Sequence, residues 1–510
     1  MNESMVKGKR KIIFALLTLI VLAAIVFAVW RLAGGKDAAP QTGRVDALSY
    51  VMELKLDAEN DRLSETVTLE LKNDTDSPLT EICLRDMTPA LLKYAAEHHA
   101  DEGNEGKGSE LLFVRQRGAA EPRVSRELDG TLLRVALASA VPAGATAEIE
   151  IGLQTDIPNR QDRFGVQVRE QGKIYSLSFC FPYLADNENG VWNTDPFFDD
   201  GESRSTDLAD YRVTLEAPES FVVAAAGESR TESGRTEAEA RQMRDYAIVA
   251  CDFMDVDIFE TEGVRINNYY LKGAYAEQYR RLSELVTRDS FRIFTENVGS
   301  YIYDELDIVQ CLFGYAFGGM EYPGLVMING TSHYDGVGPE LGAQTLAEVI
   351  THEIGHQWFY AAVGNNEYSE GWLDEGFTSY LERYMFMLTP SETNDYIRQI
   401  DRDIPPLEAL QKDMEDYAEV MRGEMDGMYI NIPPDEYPEG RAYGEGEYDG
   451  GYIFLLEVRS LLGEERFAEF LREYYRTYCL KVAGTEDVAA LLRKYDGGSA
   501  MEELLRFYLK

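Results

Sequence analysis

The stretch Leu346-Ala-Glu-Val-Ile-Thr-His352-Glu353-Ile-Gly-His356-Gln-Trp-Phe-Tyr360, followed by Gly371-Trp-Leu-Asp-Glu375-Gly-Phe-Thr-Ser-Tyr380, decides how this chain is read. In a helix, residues four apart share a face, so His352 and His356 can reach one metal ion while Glu353 sits one step round. From there Glu353 can hydrogen-bond a water at the metal instead of ligating it. Apolar Leu346, Val349, Ile350, Ile354, Trp358 and Phe359 surround the motif, which predicts a buried helix. Eighteen residues separate His356 from Glu375 on the next predicted helix, which offers a third ligand. Two histidines and one carboxylate leave the fourth position of a zinc ion open for water, as a hydrolytic site requires. The chain holds only 5 histidines, so this pattern is not an accident of composition. The expected cofactor is one Zn2+ ion on His352, His356 and Glu375. Asp374 reads either as a supporting partner or as a plain carboxylate in the first turn of a helix.

Around this stretch the second half of the chain is predicted to be mainly helical with a small sheet. Helical periodicity marks Tyr275–Asn297, Leu346–Tyr360, Trp372–Leu388, Gly451–Leu462, Glu465–Tyr475, Thr485–Lys494 and Met501–Leu509, and Glu305–Phe313 reads as a buried strand. Upstream, from about Ala47 to Glu260, the signals are those of strands. SYVMELKLDAEN, ETVTLELKND, TLLRVALA, ATAEIEIGLQT, KIYSLSFCF and DYRVTLEAP alternate or carry β-branched and aromatic residues, separated by turn clusters such as Asn73–Pro78 and Pro142–Gly144. The excursion Ala95–Gly108, with His98 and His99, reads as an exposed loop.

The sequence resembles a known family on these motifs. HEIGHQWF followed by WLDEGFTSY matches the HExxH-x18-E signature of the aminopeptidase N and leukotriene hydrolase family of zinc metallopeptidases, within the gluzincins. Gly318-Gly319-Met320-Glu321-Tyr322-Pro323 looks like that family's GxMEN exopeptidase motif, with Tyr322 where asparagine is usual. The resemblance implies that Gly318, Gly319, Met320 and Glu321 bind substrate, Glu321 holding the free α-amino group. Tyr448-Asp449-Gly450-Gly451 resembles the family's Tyr-x-x-Gly helix start, which makes Tyr448 the phenol that donates to the oxyanion. FPYLADNENGVW and DYRVTLEAPESFVVAAAGE resemble the family's N-terminal saddle domain. The implied fold is multidomain α+β: an N-terminal β-saddle or sandwich domain, then a thermolysin-like, mainly helical catalytic domain with a small sheet. Larger members continue into further domains, so an open cleft is expected.

The expected organisation is a cytoplasmic tail over 1–11, a transmembrane signal anchor over 12–33, a linker over 34–46, a β domain over 47–262 and a zinc peptidase domain over 263–510. The anchor rests on Ile12–Trp30, whose only polar residue is Thr18; at 1.5 Å per residue it nearly spans a bilayer core of about 30 Å. Lys7, Lys9, Arg10 and Lys11 precede it, which predicts a cytoplasmic N-terminus and an extracellular catalytic domain, single-pass in the cell membrane. A cleaved signal peptide is the other reading. Five dispersed cysteines make neither a disulfide framework nor a cysteine zinc site. The net charge of −41 argues against nucleic acid as a partner and for cationic ligands, and it also serves solubility.

Three functions stay open on sequence. The first is an aminopeptidase acting on peptides, with Glu353 as general base and Tyr448 as oxyanion donor. An endopeptidase or oligopeptidase using the same zinc is the second, and a non-catalytic peptide-binding ectodomain the third. The acidic loop Asp435–Asp449 either rims the cleft and favours basic peptides or is simply solvated. Oligomeric state is not readable.

Overall fold

Period-two alternation of apolar and polar residues organises the first half of the chain. The computed structural model describes residues 42–198, 201, 206–314, 318–331, 342–401, 404–437 and 443–510. Strand Arg62–Asn73 alternates half-buried and buried residues along its whole length, so it has one core face and one wet face. It lies near the middle of a seven-stranded sheet in the order Glu228–Glu232, Arg235–Met243, Ala209–Glu216, Val45–Asp57, Arg62–Asn73, Thr146–Asp156 and Ser109–Gln116. Only Val45–Asp57 and Ala209–Glu216 run parallel in it. Two four-stranded sheets, one containing Leu79–Arg85 and the other Gly172–Leu177, contribute to the same core.

A five-stranded sheet joins this half to the helices. Its order is Met254–Thr261, Val264–Leu271, Glu305–Cys311, Leu325–Asn329 and Gly319–Met320, with the central three parallel and the two edges antiparallel. Alternation decides which neighbour each residue meets. Val309, Cys311, Leu325 and Met327 belong to the core shared with the first half, whereas Leu306, Ile308, Val326 and Ile328 pack under the helices. The result is a multidomain α+β architecture of a sheet-built first half and a mainly helical second half.

Several sequence expectations change in detail. The boundary expected at 262/263 falls inside a hairpin: Met254–Thr261 pairs with Val264–Leu271 and so belongs to the second sheet. Ala95–Gly108 is not a plain loop, because Thr88–His98 is a helix whose Leu91, Leu92 and Ala95 are buried. Helices Glu392–Ile400 and Leu407–Glu424 were not expected. The second has no fully buried residue, and only Leu410, Ala418 and Met421 are partly covered by the helical core. Cys83, Cys180, Cys251 and Cys311 are buried free thiols, and Cys479 is half-buried. Residues 1–41, including the tail and the anchor over 12–33, lie outside the described residues. Among the described residues no helix is long and apolar enough to cross a membrane.

Candidate metal centre

The helix Ala343–Gly355 carries the first two ligands. It stops earlier than Tyr360, where periodicity placed its end: His356 is its cap and the chain then tightens, with Trp358 N–H donating to the Gly355 carbonyl. That turn brings the Phe359 carbonyl 3.1 Å from His356 Nδ1. At the other imidazole, Glu382 Oε2 lies 3.0 Å from His352 Nδ1. With both Nδ1 atoms occupied, the Nε2 atoms are left to face each other, 3.1 Å apart. Glu375, in the helix Trp372–Ser379, places Oε2 3.1 Å from His352 Nε2 and 3.3 Å from His356 Nε2.

These separations test the fit of a zinc ion. Ligands at about 2.0–2.1 Å in a tetrahedron stand roughly 3.3 Å from one another. The three donor atoms already stand 3.1–3.3 Å apart, so they fit one zinc ion without rearrangement. Charge also holds the triad together. Burial disfavours both imidazoliums, but Glu375 and Glu382 outweigh it and push His352 up to about 10. His356 rises to about 9 for the same reason, through Glu375. Burial also works against the Glu375 carboxylate, yet His356 and His352 hold it down at about 2.

Glycines make the surrounding geometry possible. The edge strand runs along the metal-site helix at successive turns: Gly318 faces Val349, Gly319 faces Glu353, and the carbonyls of Glu321 and Tyr322 accept from Gln357 Nε2 at 3.2 Å. A Cβ on Gly319 would lie 2.5 Å from Glu353 Cγ, so only glycine leaves room for the expected base. Gly376 and Gly451 press together; a Cβ on either would come within 2.7 Å of the other's Cα. This contact seats the start of the helix Gly451–Leu462 against the Glu375 helix and brings Tyr448, just upstream, to the metal centre.

The Tyr448 hydroxyl donates to Glu375 Oε1, and its ring stacks on His352 with centroids 5.7 Å apart. Burial, then the Glu375 charge, raises Tyr448 well above the usual phenol range, so it is a neutral donor. Glu321, Glu353, His352, His356, Glu375 and Tyr448 line one cleft of about 730 Å3, together with Gly318, Gly319 and Met320. Tyr322 points away from it: its hydroxyl donates to Ser178 Oγ at 2.6 Å in the core, tying the edge strand to the first half. Its replacement of the family asparagine therefore puts no side chain into the cleft.

The acidic loop is not simply solvated. Asp435 accepts from the Tyr368 hydroxyl at 3.1 Å, Asp449 pairs with Arg383 at 2.6 Å, and Glu436 pairs with Lys510. Glu447 is fully buried beside Gly371, and burial with nearby Asp374 raises it well above the carboxylate range. Asp374 is buried too; burial and Glu375 raise it strongly, and its Oδ1 accepts the Glu375 N–H at 3.0 Å. Sequence reasoning missed Glu382, Phe359 and Gly376. Glu382 was findable: it lies seven residues after Glu375, on the same face two turns on. The excursion Ala95–Gly108, read as an exposed loop, also reaches the cleft wall through His99 and Glu102, beside Tyr94 of the preceding helix.

Comparison with known proteins agrees with this geometry. Residues 285–508 match the model of the Peptidase family M1 domain. Aminopeptidase B of Rattus norvegicus is 27% identical over 225 residues, 44% of this chain and 32% of its own length. Leukotriene A-4 hydrolase of Xenopus laevis is 28% identical over 200 residues, 39% of this chain and 30% of its own. The chain thus matches about a third of the length of these curated relatives. The crystal structure of an M1 zinc metallopeptidase from Deinococcus radiodurans shares the fold, with a TM-score of 0.60 and 17% identity over 92% of this chain and 94% of that one. The resemblance read from HEIGHQWF and WLDEGFTSY is thereby shown, and with it a site for one zinc ion.

Proposed function

We propose that this protein is a zinc-dependent aminopeptidase that hydrolyses the first peptide bond of a peptide with a free N-terminus. The observation that carries the reading is the convergence of His352 Nε2, His356 Nε2 and Glu375 Oε2 at zinc-ligand spacing inside a cleft that also exposes Glu353, Tyr448 and Glu321. A bound zinc ion supplies Lewis acidity, polarising the scissile carbonyl and lowering the pKa of a water to about 7. The remaining work belongs to the chain. Glu353 takes the proton of the attacking water and delivers it to the leaving amine nitrogen. The Tyr448 phenol donates to the carbonyl oxygen as that atom gains negative charge. Glu321, held at the edge strand by Gln357, receives the α-ammonium group and fixes which bond is presented.

Supporting the exopeptidase reading over an endopeptidase is the orientation of Tyr322, which leaves the amine end of the cleft to Glu321. A panel of free and N-acetylated peptides tests it, with and without a chelator. The expected result is zinc-dependent release of the first residue from free peptides alone; equal cleavage of blocked peptides would refute it. We further propose that residues 12–33 anchor the protein in the cell membrane with the peptidase on the outer side. Protease protection of intact cells tests the topology, and a fully shielded catalytic half would refute it.

A further inference from the structure

A second cavity, of about 380 Å3, opens off the catalytic cleft and shares Glu348, Glu382 and Arg383 with it. Its position follows from the path of the edge strand. Gly318 lies by Val349 and Glu321 by Gln357, so the strand runs in the same sense as the metal-site helix. A peptide added antiparallel to this edge, with its amine at Glu321, travels back along the helix past the metal ligands toward Val349 and Glu348. Electrostatics gives the same order: Glu321 acts on His356, whereas Glu382 contacts His352, nearer the helix start. The residue that follows the scissile bond therefore meets Glu348 and the second cavity.

The cavity is built for a long side chain with a positive end. Met387, Leu410 and Met414 supply apolar walls, and Glu348, Glu382 and Asp413 supply carboxylates. The cation present, Arg383, is already engaged by Asp449 at 2.6 Å and lies 5.5 Å from the centre of the Tyr452 ring. Glu382 is likewise engaged by His352. Glu348 has a Gln344 amide donating at 2.8 Å, and its acid is in a desolvated position that a cation would relieve. Burial pushes it up to about 7, against the opposing Gln344 hydrogen bond and the charge of Arg383, which Asp449 already engages.

We propose that this cavity is the subsite for the second residue of the peptide, and that Glu348 selects lysine or arginine there. The inference rests on the aminopeptidase reading and adds the substrate class. Stem burial against Met387 and Leu410, with a charge-assisted bond at the tip, favours the cation over an apolar residue of equal length.

The test compares kcat/KM for Leu-Lys, Leu-norleucine and Leu-Glu dipeptide amides on the zinc-loaded full chain, beside leucyl-amidocoumarin, which has no second residue. Lysine is expected to exceed norleucine by about tenfold and glutamate by more. In Glu348→Gln the lysine-to-norleucine ratio should collapse toward one, and in Glu348→Lys the glutamate peptide should become the better substrate. Equal rates for lysine and norleucine, with leucyl-amidocoumarin turned over normally, would overturn the subsite alone. Failure to hydrolyse leucyl-amidocoumarin and all three dipeptides would overturn the aminopeptidase reading and the subsite with it. A ratio unmoved by either substitution would overturn the role of Glu348.

Discussion

Removing the zinc and titrating its return against pH probes the metal centre most directly. In the metal-free protein, His352 is raised to about 10 and His356 to about 9, against about 6.5 for an ordinary imidazole. Zinc needs the neutral imidazole lone pair, so every proton held there must leave when it binds. The facing Nε2 atoms, 3.1 Å apart, hold at least one proton between them, and two when both rings are charged. Glu375, at about 2, is ionised throughout and releases none. The apparent association constant for zinc should therefore rise by one to two decades per pH unit between about pH 6.5 and 8.5, roughly 10²–10⁴ in all. Tightening runs upward in pH because protons and metal compete. The measurement is competition against a chromogenic chelator of known pH dependence, with protons counted by calorimetry in two buffers of different ionisation enthalpy. Ordinary imidazoles would give a flat constant above about pH 7.5. A flat curve there, with no proton released, would refute the account of how Glu375 and Glu382 hold the triad.

Four further outcomes follow from the same geometry. Glu353→Gln should retain one zinc per chain while kcat falls by about 10²–10⁴, measured by metal analysis and steady-state kinetics; full activity would sink the mechanism. Tyr448→Phe should cost about 10²–10³ in kcat with KM little changed, since the phenol acts on charge that develops during reaction; an equal rise in KM alone would count against it. Gly319→Ala should behave as a positional version of Glu353→Gln, because its methyl would displace a side chain 2.5 Å away; kcat should drop at least tenfold with zinc content intact. Glu382→Gln removes the carboxylate on His352 Nδ1 and should weaken zinc binding by about 10–100-fold in the same chelator competition.

How much of this was legible beforehand depends on whether a residue's role is local. The histidine pair and Glu353 are encoded by helical spacing, and the strands of the first half by alternation, so both were readable from short windows. Partners that arrive from elsewhere were not. The Phe359 carbonyl reaches His356 only because the helix ends at Gly355, and no side-chain pattern announces that turn. Tyr322 stands where the resembled motif has asparagine, but its strand turns the ring into the core toward Ser178. The helix Leu407–Glu424 escaped because it buries no residue fully, only half-covering Leu410, Ala418 and Met421, and hydrophobic periodicity is a record of burial.

Gly376 shows where reading by motif and reading by physics part. As a motif letter it belongs to EGF, next to a metal ligand, and invites a chemical role. In the fold it has none; it removes a Cβ so that Gly451 can approach to contact distance. That approach sets the angle at which the chain leaves Gly450, and so where Tyr448 stands relative to Glu375. Alanine at either position must push the two helices apart, at about 1–3 kcal/mol for overpacking in a filled core. The same displacement moves the phenol away from the carbonyl it must serve. Gly376→Ala should thus lose stability and kcat together while His352 and His356, held by Glu382 and Phe359 from other directions, still retain the metal. Thermal melts, turnover and metal content of the one variant separate these effects. Loss of zinc with turnover per bound zinc unchanged would show instead that the glycine contact serves the metal, not the phenol.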